Sequence, residues 1–244
     1  MSNNKIIQSE CEIVYLENRY ETPKEQFVNA IDYLDIGNKL ISNDKQLLDI
    51  GCATGEFLYF VRKVNSKIVL NGIDYSSKLV EKAKDFLKNY HISIAVGDAN
   101  NLSNVKDNTY DFVTSFGTIS YFDDFRPSFN EIIRVANKNS KCLILMLLNE
   151  LDMDVLIKFL NKRTGLLEDG WNKFSIESVS NYLGSRPEVK NLRLIKHRMS
   201  SDIPKNEDNL IRTWTIKNEK GERMEWNGLN MEISLYNIIF DVSK

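Results

Sequence analysis

Apolar residues in this chain fall into short runs that end on a carboxylate or a small residue, and each run is followed by apolar positions recurring every three or four residues. Leu47, Leu48 and Ile50 form the first run and suit a strand buried on both faces. It meets Gly51-Cys52-Ala53-Thr54-Gly55, after which a helix is expected over residues 54–64. Residues 67–74 read as a second strand, and Ser76 or Ser77 can cap a helix carrying Leu79, Ala83, Phe86 and Leu87 on one face. Residues 93–98 and 110–118 repeat the strand signal. Phe129, Ile132, Ile133 and Ala136 mark the next helix, and residues 141–149 supply a fifth strand. Upstream, Thr22-Pro23-Lys24-Glu25 has the form of a capping box with proline at the first helical position, ahead of Phe27, Ile31 and Leu34 at helical spacing. Residues 15–20 read as a further short helix or ordered arm.

Strands that alternate with helices predict an α/β fold: a Rossmann-like, doubly wound, mostly parallel sheet whose ligands bind at the carboxyl ends of the strands. Beyond Asn149 the rhythm changes. A segment containing Asp152, Asp154, Gly165, Gly170 and Trp171 reads as an inserted lid, followed by a helix over 175–183 closed by Gly184. Residues 189–197 and 234–241 read as strands, and 210–218 with 222–226 as a hairpin around Glu219-Lys220-Gly221. Trp171, Trp214 and Trp226 all fall in this part, where they either stack on a flat acceptor or bury as core.

At 244 residues the chain is long enough for a single elaborated domain: an N-terminal helical cap (1–45), a cofactor-binding half (46–149) and a remainder (150–244) holding the lid, the last helix, the antiparallel strands and the hairpin. A net charge of -2 gives no global attraction for a polyanion, so nucleic acid is not an expected partner. Cys11, Cys52 and Cys142 form no even-numbered disulfide framework, which favours the cytoplasm. The first ten residues hold no apolar signal core, and no run approaches the roughly 18 apolar residues of a membrane span. The expected partner is a small-molecule acceptor, with the chain a monomer or homodimer.

The candidate chemistry sits in the glycine turn. Against the dinucleotide fingerprint G-x-G-x-x-G the three positions fall on Gly51, Ala53 and Glu56, two of them not glycine, and Glu56 is a poor neighbour for a pyrophosphate. Against the pattern acidic-x-Gly-x-Gly-x-Gly they fall on Asp49, Gly51, Ala53 and Gly55, short of a match by one methyl group. This resembles motif I of the class I S-adenosylmethionine-dependent methyltransferases, and the resemblance runs from Leu47 to the end of the chain.

The resemblance implies S-adenosylmethionine as cofactor and assigns roles by position. Asp49 would lie beside the amino group of the methionine part, with Gly51, Ala53 and Gly55 making room for the chain. Asp74 would accept the vicinal ribose hydroxyls; read alone, it is equally a helix-capping aspartate. Tyr75 would pack on the purine or in the core. Asp98 and Ala99 would meet the adenine, Asp98 by its side chain and Ala99 by its backbone N–H, and Ser115 and Phe116 would border the adenine and the transferred methyl. The Pro-Pro motif that many nitrogen methyltransferases carry after the fourth strand is missing, which argues against adenine-N6 or glutamine as acceptor.

Methyl transfer from a sulfonium asks the protein for positioning, desolvation and, with a hydroxyl acceptor, proton removal. His197, Tyr20, Tyr121 and Glu150 are the candidate bases. Asp123, Asp124, Asp152 and Asp154 read as solvated loop charge, and no metal site is expected. The runs 51–58 and 117–122 resemble small bacterial enzymes that methylate oxygen in surface saccharides or their phosphate-type substituents. Competing readings are a nitrogen methyltransferase of a small metabolite, a nicotinamide-dependent oxidoreductase and a non-catalytic module that binds S-adenosylmethionine.

Overall fold

The computed structural model describes residues 15–16, 20–38, 40–163, 165–207 and 211–244. Cys11, half of the 15–20 arm and the start of the expected 210–218 strand lie outside them.

The central sheet has the order β3-β2-β1-β4-β5-β13-β9. Strands β1 (Gln46–Ile50), β2 (Val69–Asp74), β3 (Ile92–Val96), β4 (Tyr110–Phe116) and β5 (Ala136–Asn149) run parallel, and β13 (Leu235–Val242) is inserted antiparallel between β5 and β9 (Val189–Lys196). This is the predicted Rossmann-like sheet with its antiparallel C-terminal pair. β1 sits centrally, and its Leu47, Leu48, Asp49 and Ile50 are all buried, which is why they read as an unbroken run rather than an alternation.

Helices α1 (Glu25–Tyr33), α2 (Glu56–Val64), α3 (Ser77–Leu87), α4 (Arg126–Val135) and α5 (Ile176–Gly184) cover the sheet. Two apolar clusters result, one on each face: Phe27, Phe57, Leu58 and Leu87 belong to the first, and Phe129, Ile132, Leu183 and Phe240 to the second. Ser76 caps α3 by accepting from the Leu79 N–H at 3.3 Å, and Ser175 caps α5 by accepting from the Ser178 N–H at 2.9 Å.

Four sequence expectations shift. Ala136, expected on the helix face with Ile132 and Ile133, is instead the first residue of β5, which starts five residues before the expected 141. The capping box at Thr22 does not form: α1 starts at Glu25 behind Lys24, without a side-chain cap. The reason is tertiary, because the Glu25 carboxylate instead accepts from both the N–H and the hydroxyl of Ser200, at 2.9 Å each. Helix α2 begins at Glu56 rather than Thr54, since Gly55 at φ 81° holds the turn open for two further residues. Gly184 lies inside the last turn of α5, which Ser185 ends.

The connection from β3 to β4 carries no helix. Arg134 on α4 holds it instead, donating to the carbonyls of Leu102 and Val105 at 2.8 Å each, while Glu131 accepts from the Leu102 N–H at 2.5 Å.

The lid after β5 contains a hairpin of β6 (Lys158–Asn161) and β7 (Leu166–Asp169), and then β8 (Phe174–Ser175), which pairs with the end of β5. The expected hairpin forms from β10 (Trp214–Lys217) and β11 (Arg223–Asn227) and gains a third strand, β12 (Met231–Glu232). The segment before it is pinned by a backbone and side-chain exchange between Ile203 and Thr215, at 2.9 Å each way.

Candidate active site

A cavity of about 370 Å³ opens at the carboxyl ends of β1 to β4. Its floor is built by short-range consequences of sequence. The turn after β1 takes left-handed conformations at Gly51 (φ 74°), Ala53 (φ 48°) and Gly55 (φ 81°). A Cβ on Gly51 would lie 1.8 Å from the Thr118 hydroxyl, so only glycine fits there. Ala53 occupies the glycine position of the pattern with its methyl in place and pays the left-handed cost, about 1–2 kcal/mol.

Asp74 ties this turn to β2. Its carboxylate accepts from the Ala53 N–H at 2.7 Å and from the Ser76 N–H at 2.9 Å. Asp49 and Thr114 are register neighbours on β1 and β4, and the Thr114 hydroxyl donates to the Asp49 carboxylate at 2.8 Å. Burial, only partly opposed by that bond and reinforced by the charge of Asp74, pushes the Asp49 carboxyl up to about 8. A buried carboxylate without a cation is poised to take one. Asp98 ends the third strand's approach to the cavity and orders its own turn, accepting from the Asn100 N–H at 2.8 Å.

Asp49, Gly51, Ala53, Asp74, Tyr75, Asp98, Ala99 and Phe116 all line the cavity. Gly55 sits one step behind it, as the residue preceding α2. Ser115 does not reach the wall: β4 alternation turns its hydroxyl into the core, where it is fully buried without a hydrogen bond, while Phe116 faces the cavity against Phe27 and Phe57.

Of the four candidate bases, only Tyr121 lines the cavity. Tyr20 is buried, stacks on Phe86 at 4.0 Å and donates to the Thr54 carbonyl at 2.6 Å, and burial pushes its hydroxyl up to about 12. His197 lies behind the wall, with Nε2 3.3 Å from Met199 Sδ and Nδ1 3.5 Å from the Asn29 amide; burial pushes its pKa down, which Glu25 only partly offsets. Glu150 points to the surface, bound to Lys196 at 2.6 Å and the Tyr236 hydroxyl at 2.7 Å. Asp154 accepts from the N–H of Ser175 ahead of α5 and Asp124 pairs with Arg126, both outside the cavity lining.

The roof comes from the expected lid, which brings Trp171, and from C-terminal segments whose individual residues carried no signal. Asn172 accepts from the Ile157 N–H at 2.8 Å, donates to the Phe122 carbonyl at 2.9 Å and anchors its own N–H on Ser120 at 2.7 Å. This holds the neighbouring Trp171 edge-on to Tyr121, ring centres 6.1 Å apart. Met199, Ile203, Thr213, Glu225 and Ile233 complete the roof from the C-terminal third. At the mouth, Lys24 pairs with Glu56 at 2.5 Å.

Residues 41–164, half of the chain, match the model of the methyltransferase-domain family. The chain belongs to that family. Its fold is that of the class I, S-adenosylmethionine-dependent methyltransferases. Protein 235L of Invertebrate iridescent virus 6, named as a methyltransferase, is 28% identical over 155 residues, covering 64% of this chain and 54% of that protein. The demethylmenaquinone methyltransferase of Thermotoga maritima is 31% identical over 106 residues, covering 43% of this chain and 45% of the enzyme. The chain therefore spans about half the length of these curated relatives. Among solved structures, phosphoethanolamine N-methyltransferase 2 of Haemonchus contortus in complex with S-adenosyl-L-methionine superposes with a TM-score of 0.54 at 17% identity, over 70% of this chain and 38% of that one.

The cavity has features that suit S-adenosylmethionine: a glycine turn that a Cβ would fill, and the buried Asp49 carboxylate, which pairs with no cation among the described residues. No helix among the described residues is long and apolar enough to cross a membrane.

Proposed function

We propose that this protein transfers a methyl group from S-adenosylmethionine to a small, polar, non-anionic acceptor held beneath the lid. One observation carries the reading: Asp49, Asp74 and Asp98, from the ends of three adjacent parallel strands, converge on a single cavity floored by a left-handed glycine turn. In this reading Asp49 takes the amino group of the cofactor, Asp74 the ribose hydroxyls, and Asp98 with the Ala99 N–H the adenine, while Tyr75 and Phe116 flank it. Both oxygens of Asp74 already accept a backbone N–H, which fixes their direction and leaves lone pairs for the ribose.

When bound, the cofactor supplies an activated methyl group on a sulfonium. The chain's own part is to orient the acceptor and exclude water, through Tyr121, Trp171 and the Met199–Ile203 segment. Tyr121 is the wall hydroxyl nearest in kind to a base, because Tyr20, His197 and Glu150 are engaged elsewhere.

The sequence resemblance favours oxygen as the methylated atom, in a saccharide or a phosphate-type substituent. The wall narrows this choice: among the described lining residues the one cation is Lys24, already paired with Glu56. A phosphate or carboxylate would meet no unpaired positive charge, whereas a hydroxyl or amine would meet Tyr121, Thr213 and Glu225. The same pair weighs against a nicotinamide dinucleotide, whose pyrophosphate would approach the Glu56 carboxylate. Two buried free thiols, Cys52 and Cys142, accord with a cytoplasmic enzyme.

Calorimetric titration with S-adenosylhomocysteine and, separately, with reduced nicotinamide dinucleotide tests the cofactor reading. Micromolar binding of the first and none of the second is expected; the reverse order overturns it. Radiolabelled methyl incorporation into a small-molecule extract then separates an enzyme from a module that only binds.

A further inference from the structure

The charges lining the cavity do not balance. Its described wall carries five carboxylates, Asp49, Glu56, Asp74, Asp98 and Glu225, against the single ammonium of Lys24. Lys24 neutralises Glu56 at 2.5 Å. The cofactor reading employs Asp49, Asp74 and Asp98 on the floor. Glu225 remains, on the opposite side, projecting from β11 of the three-stranded sheet that roofs the cavity.

Glu225 has a fixed backbone and a side chain without a partner among the described residues. Its carbonyl accepts from the Ile233 N–H at 2.7 Å, and its cross-strand neighbour Thr215 spends its hydroxyl on the Ile203 N–H. Its carboxylate makes no hydrogen bond or ion pair among the described residues, although Lys217 and Arg223 stand on the same hairpin. Those two cations are both taken up by Asp202, Arg223 at 2.6 Å and Lys217 at 3.1 Å. The roof therefore keeps its cations away from the cavity and leaves its carboxylate there. The wall of the same cavity also carries Trp171 and Tyr121, whose rings pack edge to face, 6.1 Å between centres. A partnerless carboxylate and aromatic rings lining one cavity are the recognition chemistry of an organic cation.

We infer that the acceptor is a small amine that docks as its ammonium form, with Glu225 its counter-ion and Tyr121 and Trp171 its aromatic wall; the ammonium then gives one proton to the Glu225 carboxylate, and the freed nitrogen lone pair forms the N–C bond as the bond from the methyl to sulfur breaks and its electron pair stays on sulfur. This rests on the methyltransferase reading and deepens it, by making Glu225 the specificity-determining residue and by selecting amines over alcohols and acids of the same shape.

The test is calorimetric titration of the full chain, with and without S-adenosylhomocysteine, using benzylamine, benzyl alcohol and benzoate as shape-matched probes. Benzylamine is expected to bind at least about tenfold more tightly than benzyl alcohol, with benzoate weakest. In Glu225→Gln that preference should collapse to about twofold or less, while the dissociation constant for S-adenosylhomocysteine stays within about twofold of the parent, which also certifies the fold. Equal binding of the three probes, binding of none, a preference for benzoate, or an unchanged preference in the variant overturns the proposal. Failure of the cofactor reading registers separately, as loss of S-adenosylhomocysteine binding, and the cofactor-free titrations still report on Glu225.

Discussion

The Thr114 hydroxyl donates to the Asp49 carboxylate at 2.8 Å across the β1–β4 pair, and among the described residues it is the one side-chain hydrogen bond to this buried acid. Because desolvation outweighs this bond, Asp49 is held near a pKa of about 8 before any cofactor arrives. Binding the cofactor's ammonium group requires the ionised form, so affinity should climb as pH rises toward 8. The dissociation constant for S-adenosylhomocysteine is expected to be at least about tenfold weaker at pH 6 than at pH 8. Calorimetry across that range checks it, and Asp49→Asn should bind weakly with no such slope. A flat profile in the parent would remove Asp49 from the ammonium site.

The same raised pKa has a stability consequence of definite sign. The folded chain holds a proton on Asp49 that the unfolded chain releases from about pH 4 upward, so this residue's contribution is fully present below that pH and is lost as pH rises through about 8. Asp49→Asn keeps a neutral group in place and should melt higher than the parent at pH 8.5, by about 2 kcal/mol or more, while the difference shrinks toward pH 4. Paired melting curves of the cofactor-free proteins provide the measurement, and equal melting at pH 8.5 would contradict the assignment.

Asp74 does two jobs through one carboxylate, fixing the turn by way of Ala53 and Ser76 and facing the cavity. Asp74→Ala should therefore lower both the melting temperature and the affinity for S-adenosylhomocysteine, the latter by about tenfold or more for a charged hydrogen bond of roughly 1.5–3 kcal/mol. Should affinity survive while stability falls, Asp74 is a turn clamp and nothing else.

Two substitutions in the same turn should act in opposite directions. Gly51→Ala places a methyl 1.8 Å from the Thr118 hydroxyl at φ 74° and is expected to cost about 2 kcal/mol or more of stability. Ala53→Gly relieves a left-handed alanine at φ 48° and should raise stability by up to about 1 kcal/mol, after the added freedom of the unfolded glycine is deducted. Thermal melts of the two variants decide whether the turn has the conformation described.

The alternation of strands and helices, the glycine turn and the three strand-end aspartates were legible in the sequence, because each depends on residues within one element and the turn after it. An apolar run followed by Asp or Gly means the same thing wherever it occurs, since burial and backbone sterics act locally. The cofactor half of the cavity follows from that grammar, including the alanine at the third position of the turn.

What only the tertiary structure decided is which distant segments close over that half. Glu25 leaves its expected capping role for Ser200, 175 positions away, and alternation on β4 hides Ser115 while exposing Phe116. His197 falls behind Met199 because strand register sets its neighbours, and Trp171 and Glu225 reach the cavity because Asn172 and the β10–β11 pairing carry them there. Local periodicity specifies which face of an element is buried, but not which other element buries it. The acceptor side of the site is built almost entirely from contacts of that second kind.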